Sequence, residues 1–176
     1  MIPGVSAMAL GRNENIAWGG TSLHAASSEL FDVSDRLGVK HITERQETIR
    51  VRWWRDEHIT IRETRFGPIL TDAAVFRAPE GKTLALRWVG HRPSHEISAL
   101  LGVNRARNWR EFRDALEEFA VPAQNMIYAD VDGAVGQAIA AHLPRRPRNA
   151  PADIIAGEES HLHWEAFVTA RDLPSV

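Results

Sequence analysis

The sequence predicts an α+β fold, an antiparallel sheet with packed helices, and three stretches carry that expectation. In residues 121–146 a loop delivers Asn125 and is followed by two strands joined at Asp132-Gly133. Asp-Gly between alternating apolar positions is a strong hairpin signal, because both residues tolerate positive φ. In residues 47–65, Ile49, Val51 and Trp53 alternate with Arg50 and Arg52, and Ile59 and Ile61 with Thr60 and Arg62. A strict period of two with one apolar side predicts an antiparallel hairpin resting one face on a core. Asn108-Trp-Arg-Glu111 matches a capping box, and Trp109, Phe112, Leu116 and Phe119 follow at spacings of three and four. That pattern predicts a helix with one buried stripe.

The remaining elements follow in order. Val5-Ser-Ala-Met-Ala-Leu10 and Ile16-Ala-Trp-Gly-Gly-Thr21 read as short strands around a turn at 11–15. Gly19 and Gly20 either end the second strand or let another group approach its backbone. Residues 23–33 show no clean period, and 34–38 read as loop. Thr83-Leu-Ala-Leu-Arg-Trp-Val89 is a strand, and residues 94–101 a short helix with Ser94 as N-cap and Gly102 just past its end. Residues 143–151, rich in Pro and Arg, form an exposed connection, and 161–167 a last extended piece. With no repeat and no low-complexity tract, residues 1–176 read as a single partial domain.

Composition narrows the function. Hydrophobic residues make up 44% and charged residues 25%, ordinary for a globular chain, and the net charge of -2 gives no footprint for nucleic acid. The arginines of 47–65 are offset by Glu47, Asp56, Glu57 and Glu63 and read as a solvated sheet face. The absence of cysteine excludes disulfides, thiolate catalysis and cysteine-based metal sites. No apolar run approaches the roughly 20 residues of a membrane span, and residues 1–4 do not resemble a signal peptide. No membrane or nucleic-acid partner is expected.

Few constellations carry chemistry by themselves. His161 and His163 share a face if extended, but no third ligand is spaced to join them. Asp130-x-Asp132-Gly133 lacks the remaining ligands of a calcium loop. There is no Gly-x-Ser-x-Gly elbow and no glycine-rich phosphate loop. Trp53, Trp54 and Trp88 read as core, with a pocket wall as the alternative. Asn125 has two readings: with Gln124 it closes a helix-to-strand loop, or it aims a fixed donor at a substrate carbonyl.

Five blocks, in order, decide between them. They are Pro3-Gly4 with Gly11-Arg-Asn-Glu-Asn-Ile-Ala-Trp-Gly-Gly-Thr21; Thr64-Arg-Phe-Gly-Pro68; Ala85-Leu-Arg-Trp88; Asn108-Trp-Arg-Glu-Phe112 with Pro122-Ala-Gln-Asn-Met-Ile-Tyr-Ala-Asp130, Gly133 and Gly136; and Pro144-Arg-Arg146 with Trp164 and Leu173-Pro174. In this series the chain resembles the penicillin acylase (penicillin amidase) family of N-terminal-nucleophile hydrolases. The resemblance implies part of an αββα sandwich and cleavage of a small-molecule acyl amide, such as a β-lactam side chain or an acyl-homoserine lactone. It implies a Ser nucleophile freed as a chain N-terminus, its α-amine acting as base with an ordinary pKa of about 7.7–8.0. By motif match Asn125 and the backbone N–H of Ser22 form the oxyanion hole, and Arg146 is a substrate-binding residue. Gly19 and Gly20 would clear room beside the reacting carbonyl. The family also suggests a periplasmic or secreted location.

The departures shape the expectation as much as the matches. The family Ser precedes the Trp-Gly-x-Thr block by more than this chain offers; Ile2 disfavours removal of Met1 and Ser6 falls in a predicted strand. The partners expected are therefore the missing segments of the same precursor, and the isolated chain is expected to be inactive. Ala26 and Glu29 stand where the family's calcium carboxylates are usual, so no calcium and no other cofactor is expected. Phe66 replaces a usual His. The alternative is a non-catalytic ligand-binding module, or a remnant that dimerises through apolar surface as a homo-oligomer.

Overall fold

The computed structural model describes residues 4, 6–34, 42–146, 154–156, 164 and 166–176. They form an α+β arrangement of mainly antiparallel sheets with two α-helices. The chain divides into two compact units, one of Met1–Ser27, Arg92–Arg145 and Trp164–Val176, the other of Ser28–His91 and Arg146–His163.

The first unit is built on a four-stranded antiparallel sheet. Its strands are β1 (Gly11–Arg12), β2 (Ile16–Ser22), β8 (Gln124–Asp130) and β9 (Val135–Ala140), in that spatial order. The N-terminal hairpin exists, but its first strand is Gly11–Arg12 rather than 5–10. Asn13 causes this: its Oδ1 accepts the N–H of Asn15 and of Ile16, and its Nδ2 donates to the carbonyls of Asn104 and Ala106. The side chain thus makes the turn and ties it to the helical layer.

That layer comprises α1 (Glu96–Arg105) and α2 (Trp109–Leu116). In α2 the predicted cap is present, Asn108 Oδ1 accepting the Glu111 N–H at 2.9 Å. The Glu111 carboxylate reaches the N–H of Arg107, one residue before the usual capping-box partner. Helix α1 differs from expectation. It starts after His95, with no side-chain cap, and runs straight through Gly102. A Cβ at Gly102 would lie 2.8 Å from that of Ala115, so this glycine permits close helix approach rather than ending the helix. Ser94 instead hydrogen-bonds Glu96. The core joins Ile16 and Trp18 of β2, Met126 and Tyr128 of β8, Ala138 and Ala140 of β9, and Val103, Phe112, Leu116 and Phe119. Trp109, Phe112 and Tyr128 meet as an aromatic cluster with centroids 5.1–5.7 Å apart.

The β8–β9 hairpin has three loop residues, 131–133, not two. The Asp130 N–H donates to the Ala134 carbonyl, and Gly133 takes φ 91°. Asp130 Oδ1 accepts the N–H of both Asp132 and Ala134, holding the extra residue in place. The register that results pairs Ile127 with Gln137 and Asn125 with Ile139. Beyond β9, Val176 exchanges backbone hydrogen bonds with Gln137, and β10 (Leu143–Pro144) pairs with β12 (Phe167–Val168).

The second unit holds β3 (Ser28–Asp32) between β7 (Leu84–Trp88) and β11 (Ile154–Ala156), the latter pair parallel. A separate sheet contains β4 (Thr43–Ile49), β5 (Glu57–Thr64) and β6 (Gly67–Pro68). The hairpin predicted in 47–65 is present but displaced. Its first strand is the polar Thr43–Ile49, and the chain turns at 50–56, with Trp53 at φ 69°. Nor does its apolar side rest on a core: Ile49 is 47% and Ile59 37% exposed. Trp53 and Trp54 at the turn are 87% and 73% exposed, so neither is core, and Trp88 is 40% exposed. The opposite face is held by Gln46–Thr60 and Thr48–His58 hydrogen bonds. The core here is Phe31, Val33, Phe66 and Ala85, with Phe31 and Phe66 stacked at 4.5 Å. The predicted piece 161–163 and most of the loop 34–38 lie outside the described residues.

Two tests follow from the first unit's core. Phe112 is fully buried, and Phe112→Ala is expected to lower the unfolding free energy by about 3–5 kcal/mol in urea titration. Tyr128 is the chain's single tyrosine, and burial, with a hydrogen bond to Asp130, pushes its phenol up to about 12. Tyrosinate absorbance is expected to rise with a midpoint at about 12 in the folded chain and about 10 in denaturant. The sign follows: this contribution to stability is complete below about pH 10 and lost as pH rises toward 12.

Candidate oxyanion site on the four-stranded sheet

The site begins with the seven-residue ladder between β2 and β8, from Ile16 opposite Asp130 to Ser22 opposite Gln124. Alternation along β8 buries Met126 and Tyr128 against the helices and turns Asn125, Ile127 and Ala129 to the other face. Across the ladder Asn125 stands opposite Thr21, so Ser22 is the next residue along β2. The Leu23 N–H donates to the Ala123 carbonyl at 2.9 Å, closing a hydrogen-bonded pair. In an antiparallel ladder the neighbouring pair is then not hydrogen-bonded, so the Ser22 N–H points away from β8. On that side β1 pairs only with Ala17 and Trp18, and among the described residues no strand reaches Ser22.

The Asn125 side chain is half-buried and has one partner among the described residues, Gln137, whose Nε2 donates to Asn125 Oδ1 at 2.7 Å. Among the described residues nothing accepts from Asn125 Nδ2. The loop entering β8 is held by Glu96 at the start of α1. Glu96 Oε1 accepts the N–H of Ala120 at 3.3 Å and of Val121 at 3.1 Å. Burial would raise the Glu96 carboxyl, but hydrogen bonds from Ser94 and from these backbone groups hold it below the ordinary carboxylate range. The Ala120 carbonyl accepts the His142 N–H at 3.0 Å, so the loop is fixed from two sides.

A cavity of about 680 Å³ opens further along the same sheet face, and neither Asn125 nor Ser22 lines it. Ala17 and Gly19 of β2, Ile127 and Ala129 of β8, and Val135 and Gln137 of β9 line it, with Val176 alongside. It is apolar except near Gln137, the residue that holds Asn125. Its glycine does not leave vacant space: a Cβ at Gly19 would lie 3.1 Å from Ile127, and one at Gly20, on the core face, 2.6 Å from Met126 Sδ. Both glycines therefore accommodate β8 side chains, and the room expected of them beside a carbonyl is already filled.

Arg146 lies in the other unit, where its Nε is 2.7 Å from Glu29 Oε1 and its Nη2 donates to the Ser28 carbonyl at 3.4 Å. Glu29 is 6% exposed, whereas the Arg146 side chain keeps 27% of its surface exposed. The residues at the family's calcium positions do not fit the ion: Ala26 offers no carboxylate, and Glu29 is committed to Arg146. None of Trp53, Trp54 and Trp88 lines the cavity. His161 and His163 lie outside the described residues.

The penicillin amidase family model matches residues 1–176. An acyl-homoserine lactone acylase, QuiP, of Pseudomonas fluorescens is 26% identical over 94% of this chain and 22% of its own length. The penicillin acylase 2 proenzyme of a Pseudomonas species is 26% identical over 75% of this chain and 17% of its own. The solved thermostable penicillin G acylase of Alcaligenes faecalis superposes with a TM-score of 0.82 at 25% identity, covering 100% of this chain and 33% of that one. The chain thus spans about a fifth of the length of these curated relatives.

The sequence reading named Asn125 and Ser22; the structure adds the hydrogen bond from Gln137 to Asn125 and those from residues 120–121 to Glu96. Gln137 was open to discovery through the hairpin register, whereas nothing in the sequence ties Glu96 to residues 120–121. Removing the Glu96 acceptor leaves two partly buried N–H groups without their partner. Glu96→Ala is expected to cost about 1–3 kcal/mol in equilibrium unfolding, while Glu96→Gln, which keeps an acceptor, costs less.

Proposed function

The chain belongs to the penicillin amidase family, and from that premise we propose that it supplies the oxyanion-stabilising part of an acyl-amide hydrolase. In this reading the Asn125 Nδ2 and the Ser22 N–H donate to the oxygen that becomes negative as the amide carbonyl turns tetrahedral. The register carries the proposal. It sets Asn125 opposite Thr21, one residue from Ser22, and leaves the Ser22 N–H, which points away from β8, without a strand partner among the described residues. Donors fixed before the reaction cost no reorganisation when charge develops, which is why such an arrangement accelerates acyl transfer.

The substrate is a small-molecule acyl amide, the class shared by the penicillin and acyl-homoserine lactone acylases it resembles. The nucleophilic Ser and its α-amine come from other segments of the same precursor. One relative being a proenzyme, and the relatives being several-fold longer, support this. Arg146 is the proposed substrate-binding cation, its guanidinium already oriented by Glu29. The isolated chain then binds and orients but does not hydrolyse.

Asn125→Ala is the deciding experiment. In the processed hydrolase containing this chain, it is expected to lower kcat about 10²–10³-fold on an acyl amide, with unfolding stability nearly unchanged. Unaltered kcat in a folded variant would overturn the proposal.

A further inference from the structure

We propose that β4 is a docking edge for a second copy of this chain: two β4 strands pair antiparallel about a two-fold axis at Gln46 and join their sheets into one. The strand is the outer member of its sheet, in the order β4-β5-β6, and among the described residues no strand pairs with its free side. It runs for seven residues without Pro or Gly, and every residue but Glu47 is exposed. Such an edge offers a row of unpaired backbone groups to another strand.

The ladder with β5 fixes which groups those are. The Arg62 carbonyl accepts the Ile69 N–H at 2.9 Å, so at Arg62 the β5 backbone faces β6 and not β4. The pair Glu44–Arg62 is then not hydrogen-bonded, and by alternation neither are Gln46–Thr60 and Thr48–His58. Their side chains meet instead, Gln46 with Thr60 at 2.9 Å and Thr48 with His58 at 3.0 Å. The N–H and carbonyl of Glu44, Gln46 and Thr48 therefore point outward. An axis at Gln46 matches these groups with themselves: Gln46 meets the partner's Gln46 and Glu44 meets the partner's Thr48, each pair exchanging both backbone hydrogen bonds.

Charge selects this register. It sets Arg45 opposite the partner's Glu47 and Glu47 opposite the partner's Arg45, with Ile61 and Ile59 as the next residues across the sheet on either side. An axis at Arg45 or at Glu47 would face each of these with its own copy, and like charges directly opposite destabilise a sheet. An axis at Glu44 or Thr48 would leave part of the strand unpaired. In the single chain Arg45 has Ile61 across the ladder and bonds Glu47 of its own strand. Charges that blunt an edge against unrelated strands thus complement each other when the second strand is a copy. The interface is small and polar, so its strength is micromolar rather than nanomolar.

Sedimentation equilibrium of the 176-residue chain, from low micromolar to near-millimolar concentration, is expected to show a monomer–dimer equilibrium. Arg45→Glu sets acid against acid and Glu47→Arg base against base, so each alone is expected to weaken the dimer about tenfold or more. Mixed in equal amounts, the two variants are expected to form a heterodimer as strong as the original dimer, because every acid again meets a base. A failure to fold would not produce that rescue. Arg110→Glu, on exposed α2 surface, changes the net charge as Arg45→Glu does and is expected to leave the dimer intact. Amide exchange reads the register. The N–H of Glu44, Gln46 and Thr48 are expected to exchange fast in dilute chain and slowly as concentration rises, while those of Arg45 and Glu47, bonded to β5, stay slow throughout. A monomer at every concentration would overturn the proposal, as would a dimer indifferent to both reversals or a mixture that forms no heterodimer. So would slow exchange at residues 44, 46 and 48 in a monomeric processed hydrolase, which would give the edge to another segment of the same precursor.

Discussion

The seven-pair ladder between β2 and β8 governs the first unit, because its register decides what faces the helices and what faces outward. Ile16 and Trp18 on one strand and Met126 and Tyr128 on the other share the buried side. A slip of β8 by one residue would send Asn125 and Ile127 into that core and expel Met126 and Tyr128. The burial of Met126 and Tyr128 is therefore what keeps the Asn125 amide outward. The residue proposed for chemistry contributes nothing to holding its own position; its neighbours at odd spacing do. Glycine at 20 completes the fit, since a side chain there would collide with Met126.

Local signals were legible, and contacts between distant segments were not. Helix α2 announced itself through Asn108 and the 109–112–116 stripe, and both the cap and the burial are present. Helix α1 was cut short because Gly102 reads as a stop; only Ala115, thirteen residues on, reveals it as a packing position. The 47–65 hairpin was misplaced because apolar alternation led the reading. The true first strand, Thr43–Ile49, is polar along nearly its whole length and is held by backbone pairing and cross-strand hydrogen bonds. In the β8–β9 hairpin, Asp-Gly located the turn, but the Asp130 carboxylate made it one residue longer. A two-residue turn would have set Asn125 opposite Ala140 and on the face of Ala138. The longer loop sets it beside Gln137 instead. The pairing of Asn125 with its neighbour on β9 thus depended on a single carboxylate in the loop.

Two departures from the family pattern are compensated inside the second unit. Phe66, where His is usual, stacks on Phe31 and completes a small buried cluster. Glu29, at a calcium position, is neutralised by a guanidinium from the chain itself. An arginine does for the buried carboxylate what a bound cation would otherwise do, at the cost of fixing one geometry.

The open face of the four-stranded sheet is the remaining constraint. Helices cover its other side, while Ile127 at 57% and Val135 at 80% exposure leave apolar surface to water. A sheet that is apolar on both sides calls for a second layer. If such a layer covers the cavity, Asn125 and Gln137 become a polar pair in a dry setting, where a misdirected amide is costly and a correctly directed one is worth more. The same burial that completes the fold then raises the value of the Nδ2 donor. On this view stability and catalysis are not competing demands on the face: the apolar residues bring the covering layer, and that layer removes the water that would otherwise screen the donor from the developing charge.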